Sequence, residues 1–284
     1  MKKYFMLLFS ILTIATTTTY AQKEYKLART SGHLTLNIPG AIIEGYTGNE
    51  IVFSIPKADN EVVDERAKGL RVINGSGFTD NTGLGLDVSV KGEEINVNPV
   101  TKDKTAILTI KVPQNIKISF TNTSTLYQSE VILKNLKNEI EVSTSYNKIK
   151  LENNTGPMNV KTLYGSVDAT FANDIKGPVS IVSVYGYVDV AIAAVTKANV
   201  ELATSYGKLY SAEGLKIAVD KNSNEKSEGN RPETVNFSAN GTAITLFNEF
   251  NGTRSSDSIQ GKLNGGGANL ILKSTYKNVY LREK

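Results

Sequence analysis

Two aspartates recur in the same local setting 21 residues apart, as Val167-Asp168 and Val188-Asp189. If the segments that carry them stack as neighbouring strands, their carboxylates approach to about 5 Å, the interstrand spacing. Carboxylates held roughly 5–10 Å apart across a cleft can act as the paired acids of a glycoside-cleaving enzyme, or they can hold a cation. Each Asp, however, alternates with apolar residues, so both are expected on a solvated outer face. Lys150 occupies the same place one copy earlier and is expected to sit beside Asp168 as a surface ion pair worth at most about 1 kcal/mol.

The tyrosines form a second set. Tyr146, Tyr164, Tyr185 and Tyr206 follow one another at 18, 21 and 21 residues, and Tyr276 stands in a similar segment near the end of the chain. Rings at regular intervals can stack on sugars or on a partner surface. They can equally stack on one another as a structural ladder. Each tyrosine shares the phase of the core-facing Val and Ile before it, which favours the ladder. Tyr187 is off that phase and is expected to be exposed. Tyr187, Asp168 and Asp189 are therefore the candidate binding residues of an exposed face.

Other chemistry fails on composition. The chain has no Cys and no Trp, and His33 is its single histidine. Disulfides, thiolate metal sites, thiol nucleophiles and multi-histidine metal centres are ruled out, and a catalytic triad would have to use His33, with Ser31 nearby. Gly265-Gly266-Gly267 is followed by the strand-like Asn269 to Lys273, not by the helix that a phosphate-cradling loop requires; Gly83-Leu84-Gly85 fails the same test. No catalytic residue, cofactor or metal is expected.

Lys2 and Lys3 precede an apolar run from Tyr4 to Ala15, and Thr19 and Ala21 are small residues ahead of Gln22. This is the pattern of a secretory signal peptide over residues 1–21. The run is shorter than the roughly 20 residues that span a bilayer, and no membrane span is expected in the mature chain. Its formal charge falls from +4 to +2 once the two leader lysines are gone, too little to mark a nucleic-acid surface.

The segments around the tyrosines share one line: apolar-x-apolar-x-[Ser/Thr]-x-Tyr-Gly-x-apolar-x-apolar. Met158 to Ala169 and Val179 to Val190 are two copies. Alternation of period two reads as strand. The phase slips by one residue at the Tyr-Gly step, and Gly165, Gly186 and Gly207 suit a bulge or corner there because glycine reaches positive φ. Asn147 and Lys277 replace the glycine in two copies. A unit of about 20 residues with two short strands cannot bury its own apolar face, whereas stacked copies can. The expected fold is all-β: an elongated β-solenoid with coils of about 20 residues. One domain is expected over residues 22–284, with the clearest repeats at 138–211 and 268–282 and a polar loop at 221–232. Val188 is expected inside and Val184 outside.

The Leu163-Tyr164-Gly165, Val184-Tyr185-Gly186 and Ser205-Tyr206-Gly207 copies, with Asn153-Asn154-Thr155-Gly156-Pro157 and Leu263-Asn264-Gly265-Gly266-Gly267, resemble the bacterial putative-adhesin family of β-strand-repeat domains, in particular secreted members from Bacteroidetes-type bacteria. The resemblance covers most of residues 30–284. It implies export and a repeat fold, and carries no catalytic motif. The expected function is a non-catalytic adhesin-like or envelope-associated protein, periplasmic, cell-surface or extracellular, that presents a regular face to an envelope polymer, a glycan or another protein. The alternatives are a polysaccharide lyase or hydrolase on a β-helix, and an envelope-stress or signalling accessory.

Overall fold

The computed structural model describes residues 22–57, 65–101, 107–126, 128–171, 175–219, 238–239, 242–243 and 257–284. The expected leader 1–21 and polar loop 221–232 lie outside the described residues. The chain forms two large mixed β-sheets, of ten and eleven strands, and the described helical structure is a 3-10 turn at Glu65–Ala67. Among the described residues no helix is long and apolar enough to cross a membrane.

Each repeat contributes one strand to each large sheet. The Tyr164 unit, for example, supplies Met158–Thr162 to one and Val167–Thr170 to the other. Neighbouring units pair in parallel, shifted by one repeat: Val142 faces Val160, which faces Ile181, and Val167 faces Val188. The alternation then has its physical meaning. Val160, Ile181, Val167 and Val188 are all 0% exposed, in one continuous core between the sheets. Each such side chain contributes about 1.5–3 kcal/mol by leaving water. The same parallel pairing continues upstream, where Asn115–Asn122 pairs with Ile140–Thr144.

Among the two-strand units, spatial order departs from chain order twice. The closing unit, Ala268–Ser274 with Val279–Glu283, does not extend the stack beyond the Tyr206 unit. It lies between the Tyr185 unit, Val179–Ser183 with Val188–Ile192, and the Tyr206 unit, Ala198–Thr204 with Leu209–Ser211. Near the other end, Ser31–Leu36 with Ala41–Tyr46 lies between Glu94–Pro99 with Thr109–Pro113 and Asn115–Asn122 with Val131–Lys134. Antiparallel strands flank the parallel part at both ends: Leu86–Lys91 and Gln22–Leu27 with Ile51–Pro56 on one side, and Asp257–Leu263 with Ile217–Val219 on the other.

Val184 is not outside. It is 3% exposed, nearly as buried as Val188. The strand ends at Ser183, so the period of two cannot be counted through the turn that follows. Val184 lies in that turn between Leu163 and Thr275 of the adjoining units, as the bonds from Tyr185 N to Leu163 O (2.8 Å) and from Tyr276 N to Val184 O (2.9 Å) show.

Candidate functional site

The Ser/Thr of the repeat builds the corner that positions Tyr164, Tyr185, Tyr206 and Tyr276, whereas the buried hydroxyl of Thr144, before Tyr146, makes no such bond. Thr162, Ser183, Thr204 and Ser274 end their strands pointing inward and are at most 1% exposed. Each hydroxyl accepts the backbone N–H three residues on: Gly165 to Thr162 (3.2 Å), Gly186 to Ser183 (2.9 Å), Gly207 to Thr204 (3.0 Å) and Lys277 to Ser274 (3.0 Å). The same hydroxyls donate to the neighbouring unit's corner carbonyl, as Ser183 does to Gly165 (2.7 Å), Ser274 to Gly186 (2.8 Å) and Thr204 to Lys277 (3.0 Å). One side chain thus closes its own turn and ties it to the next, satisfying groups that would be costly to bury unpaired.

This corner turns the tyrosines out of the core, contrary to the phase read from the sequence. Tyr146, Tyr164, Tyr185, Tyr276 and Tyr206 are 37%, 46%, 37%, 37% and 55% exposed. They stack in that order, with centroids 4.6, 4.8, 4.6 and 4.9 Å apart and planes within 15° of parallel. Tyr276 therefore stands between Tyr185 and Tyr206, because its unit is intercalated. The ring spacing follows from backbone pairing that persists through the corners, for example Tyr164 N to Ser145 O at 2.7 Å and Tyr185 N to Leu163 O at 2.8 Å. In-register parallel chains repeat at about 4.8 Å, which is also an offset stacking distance.

The glycines serve close approach, not positive φ. Gly165, Gly186 and Gly207 are absent from the left-handed positions of the described chain. A Cβ at each would fall 1.8 Å from Asn147 O, 1.9 Å from Gly165 O and 2.1 Å from Lys277 O. Asn147 takes the glycine's place where its neighbour differs: its Nδ2 donates to Ser129 O and Pro39 O, both at 2.6 Å. Lys277 keeps the corner bond to Ser274 with its side chain exposed.

Asp168 and Asp189 are register partners on adjacent strands, both half-buried on the outer face of the ten-stranded sheet. Each has its own cation. Lys148 Nζ lies 3.1 Å from Asp168, and Arg282 grips Asp189 with two bonds of 2.7 and 2.8 Å. Lys150 is Asp168's register partner but pairs with Glu152 at 2.6 Å instead. Tyr187 is half-buried; its hydroxyl donates to Asp168 (3.2 Å) and its ring meets Tyr280 edge-on, while Tyr280 stacks on Tyr210 at 5.1 Å. Burial first, and then the Asp168 charge, push the Tyr187 phenol above its ordinary pKa. Hydrogen bonding to Asp168 does the same for Lys148. The result is a neutralised polar cluster beside three rings. His33 lies 3.2 Å from Glu94 on the other sheet. Among the described residues no three His, Cys, Asp or Glu converge as metal ligands.

The sequence reading missed the corner hydroxyls and the cations Lys148 and Arg282. The signal for the hydroxyls was present in the Ser or Thr two residues before each tyrosine of the column. Arg282 carried none, since its partner is 93 residues away in sequence.

No family model matches the chain, and no curated protein does. Among solved structures, a putative cell adhesion protein from Clostridium sporogenes is similar at 12% identity and a TM-score of 0.40, covering 93% of this chain and 100% of its own. A putative adhesin from Bacteroides fragilis is similar at 12% identity and a TM-score of 0.39, covering 94% of this chain and 98% of its own.

Proposed function

We propose that this chain is a non-catalytic, exported, adhesin-like binding protein that presents its tyrosine column as a contact strip. The carrying observation is the exposure of five mutually stacked rings, each at least 37% open to solvent. Rings that are only structural lose little by being covered, whereas these turn their edges outward in a row. Internal stacking occupies the faces of the middle rings, so the strip offers ring edges and hydroxyls at the interstrand period. Such a surface suits an extended partner lying along it: an envelope polymer, a glycan chain or a regular protein face.

In this reading residues 22–284 form one domain, and the two-strand units wind as coils of a β-solenoid. Parallel pairing at an offset of one repeat supports the winding. The leader-like segment 1–21 supports export to the periplasm, surface or medium. Asp168 and Asp189 are each paired with a basic side chain, Lys148 and Arg282, so this pair does not favour the glycoside-cleaving alternative.

The experiment compares the native chain with Tyr164→Ser/Tyr185→Ser in glycan-array binding, pull-down from envelope extracts and cell adhesion. The expected result is binding in at least one assay and a loss of about tenfold or more in the variant, a change of about 1.4 kcal/mol. Silence of the native chain in all three, or equal binding by the variant, overturns the strip.

A further inference from the structure

We propose that a second site, distinct from the tyrosine column, binds an uncharged saccharide in a groove of about 430 Å3. Its walls are the Asn37–Pro39 corner, the Asn98–Thr101 strand end, the loop around Asn74 and Phe78, and the end of the strand Asn115–Asn122 with the residues after it.

The lining is chemically selective. Among the described residues fourteen line the groove and none of them is charged, although Asp, Glu, Lys and Arg make up 21% of the chain. Nine are Asn, Ser or Thr, and Phe78, Pro39 and Ile38 are among the rest. A sugar needs this combination: donors and acceptors for several hydroxyls, with apolar surface for its C–H faces. Against these described residues an anionic or cationic ligand would leave water without finding a counter-charge.

The groove is held in shape by its own amides. Asn74 Oδ1 accepts from the backbone N–H groups of Ser76 (2.9 Å) and Phe78 (3.1 Å), and its Nδ2 donates to Pro99 O (3.0 Å), which fastens the Phe78 loop to the strand end. Asn122 Nδ2 donates to Asn147 Oδ1 (3.0 Å) and Pro39 O (3.3 Å) and fixes the opposite wall. Asn74 and Asn122 are thus positioning residues. Asn37 and Asn98 differ from them. They follow the register partners Leu36 and Val97, are half-buried, and are joined by one bond of 3.0 Å from Asn37 Nδ2 to Asn98 Oδ1. An amide can form about four hydrogen bonds, so this pair retains N–H and C=O capacity for a ligand in the groove. The groove adjoins the Tyr146 end of the column, since Asn122 is the register partner of Thr144, but a sugar bound there requires nothing of the column.

The test titrates the full chain with neutral oligosaccharides (cellohexaose, xylohexaose, mannohexaose and chitotetraose) and anionic ones (trigalacturonate and sialyllactose), read by calorimetry and ligand-observed NMR. The expected result is that at least one neutral oligosaccharide binds and that Asn98→Leu weakens it by about tenfold or more. Thr121→Arg, at a half-exposed position on the groove wall, gives the same loss and carries the test if Asn98→Leu does not fold. Tyr164→Ser/Tyr185→Ser leaves this affinity unchanged, which separates the groove from the column. Absence of binding by all four neutral probes, tighter binding of the anionic ones, or an affinity lost in the tyrosine variant and kept in the groove variants overturns the site.

Discussion

The hydroxyl of Ser183 lies 2.9 Å from the backbone nitrogen of Gly186 and accepts its N–H, while donating at 2.7 Å to the carbonyl of Gly165 in the preceding unit. Both contacts are buried. Ser183→Ala removes the shared group and leaves a donor and an acceptor without it. The expected loss is about 2–6 kcal/mol, since each of the two stranded groups costs about 1–3 kcal/mol. Urea unfolding measures it, and a loss below about 1 kcal/mol would mean that the hydroxyl is dispensable to the corner.

Gly186 makes a sharper case. A methyl group there would have to share space with Gly165 O, 1.9 Å from the ideal Cβ position. The obstacle is backbone in a paired corner and has no rotamer by which to yield. Gly186→Ala should cost about 3 kcal/mol or more. Gly75→Ala, where a Cβ meets nothing within 4 Å, should stay within about 0.5 kcal/mol. Similar melting shifts for the two would remove close approach as the reason for glycine in the repeat.

These corners show what the sequence carries and what it does not. Spacing of the Tyr-Gly copies was enough to predict that Val167 faces Val188 and that Asp168 neighbours Asp189, because in-register pairing preserves local pattern. The outward turn of Tyr164 was not legible. Alternation describes a straight strand, and one hydroxyl, that of Thr162, ends the strand two residues before the ring. The place of Tyr276 was not legible either: its copy resembles the others equally well, and nothing local says which neighbours it joins. Lys148 reaches Asp168 from off its register position because a long side chain crosses rows that strand pairing keeps apart. The groove drew residues from four separated segments, and only the fold brings Asn37 beside Asn98.

Burial makes a clear prediction for the valines. Val188 and Val184 are 0% and 3% exposed, and Val195 is 75% exposed. Val188→Asp and Val184→Asp should both destabilise by several kcal/mol, roughly 3 or more, through an unpaired buried carboxylate. Val195→Asp should change stability by less than about 0.5 kcal/mol. Denaturant midpoints of the three variants check this, and a mild Val184→Asp would restore the outward assignment that simple alternation gives.

Asp168 couples two groups that titrate at high pH. Its charge helps to hold the Tyr187 phenol and the Lys148 ammonium above their ordinary pKa values. A folded-state pKa above the unfolded one stabilises the fold below the unfolded value, and that contribution is lost as pH rises through the folded one. For both groups the loss begins near pH 10, where unfolded Tyr and Lys titrate at about 10 and 10.4. The melting temperature should therefore fall on going from about pH 9 to 11, and the fall should be shallower in Asp168→Asn, which removes the carboxylate's share of both shifts while burial still raises Tyr187. Ultraviolet titration of Asp168→Asn should also show one phenol ionising at lower pH, and this change should be missing in Tyr187→Phe/Asp168→Asn. An identical alkaline slope in Asp168→Asn and the native chain would sink the coupling.

The intercalated closing unit predicts unequal behaviour of the two chain ends. Ala268–Ser274 and Val279–Glu283 are paired on both sides, and Leu270, Leu272, Val279 and Leu281 are at most 1% exposed. Ending the chain after Gly267 removes those four side chains from the core, roughly 6–12 kcal/mol at about 1.5–3 kcal/mol each. It also leaves the Tyr185 and Tyr206 units facing each other across a gap with unpaired strand edges. Native domains are stable by only about 5–15 kcal/mol, so the shortened chain should lose its single cooperative unfolding transition and associate through the open edges. Gln22–Leu27, by contrast, is an edge strand paired on one side with Ile51–Pro56, and removing it should lower the midpoint while preserving cooperativity. Circular dichroism melts with gel filtration distinguish the two. A cooperative, monomeric chain ending at Gly267 would show that the Tyr185 and Tyr206 units can close directly on each other, and that the closing unit is an addition to the fold, not a part on which it depends.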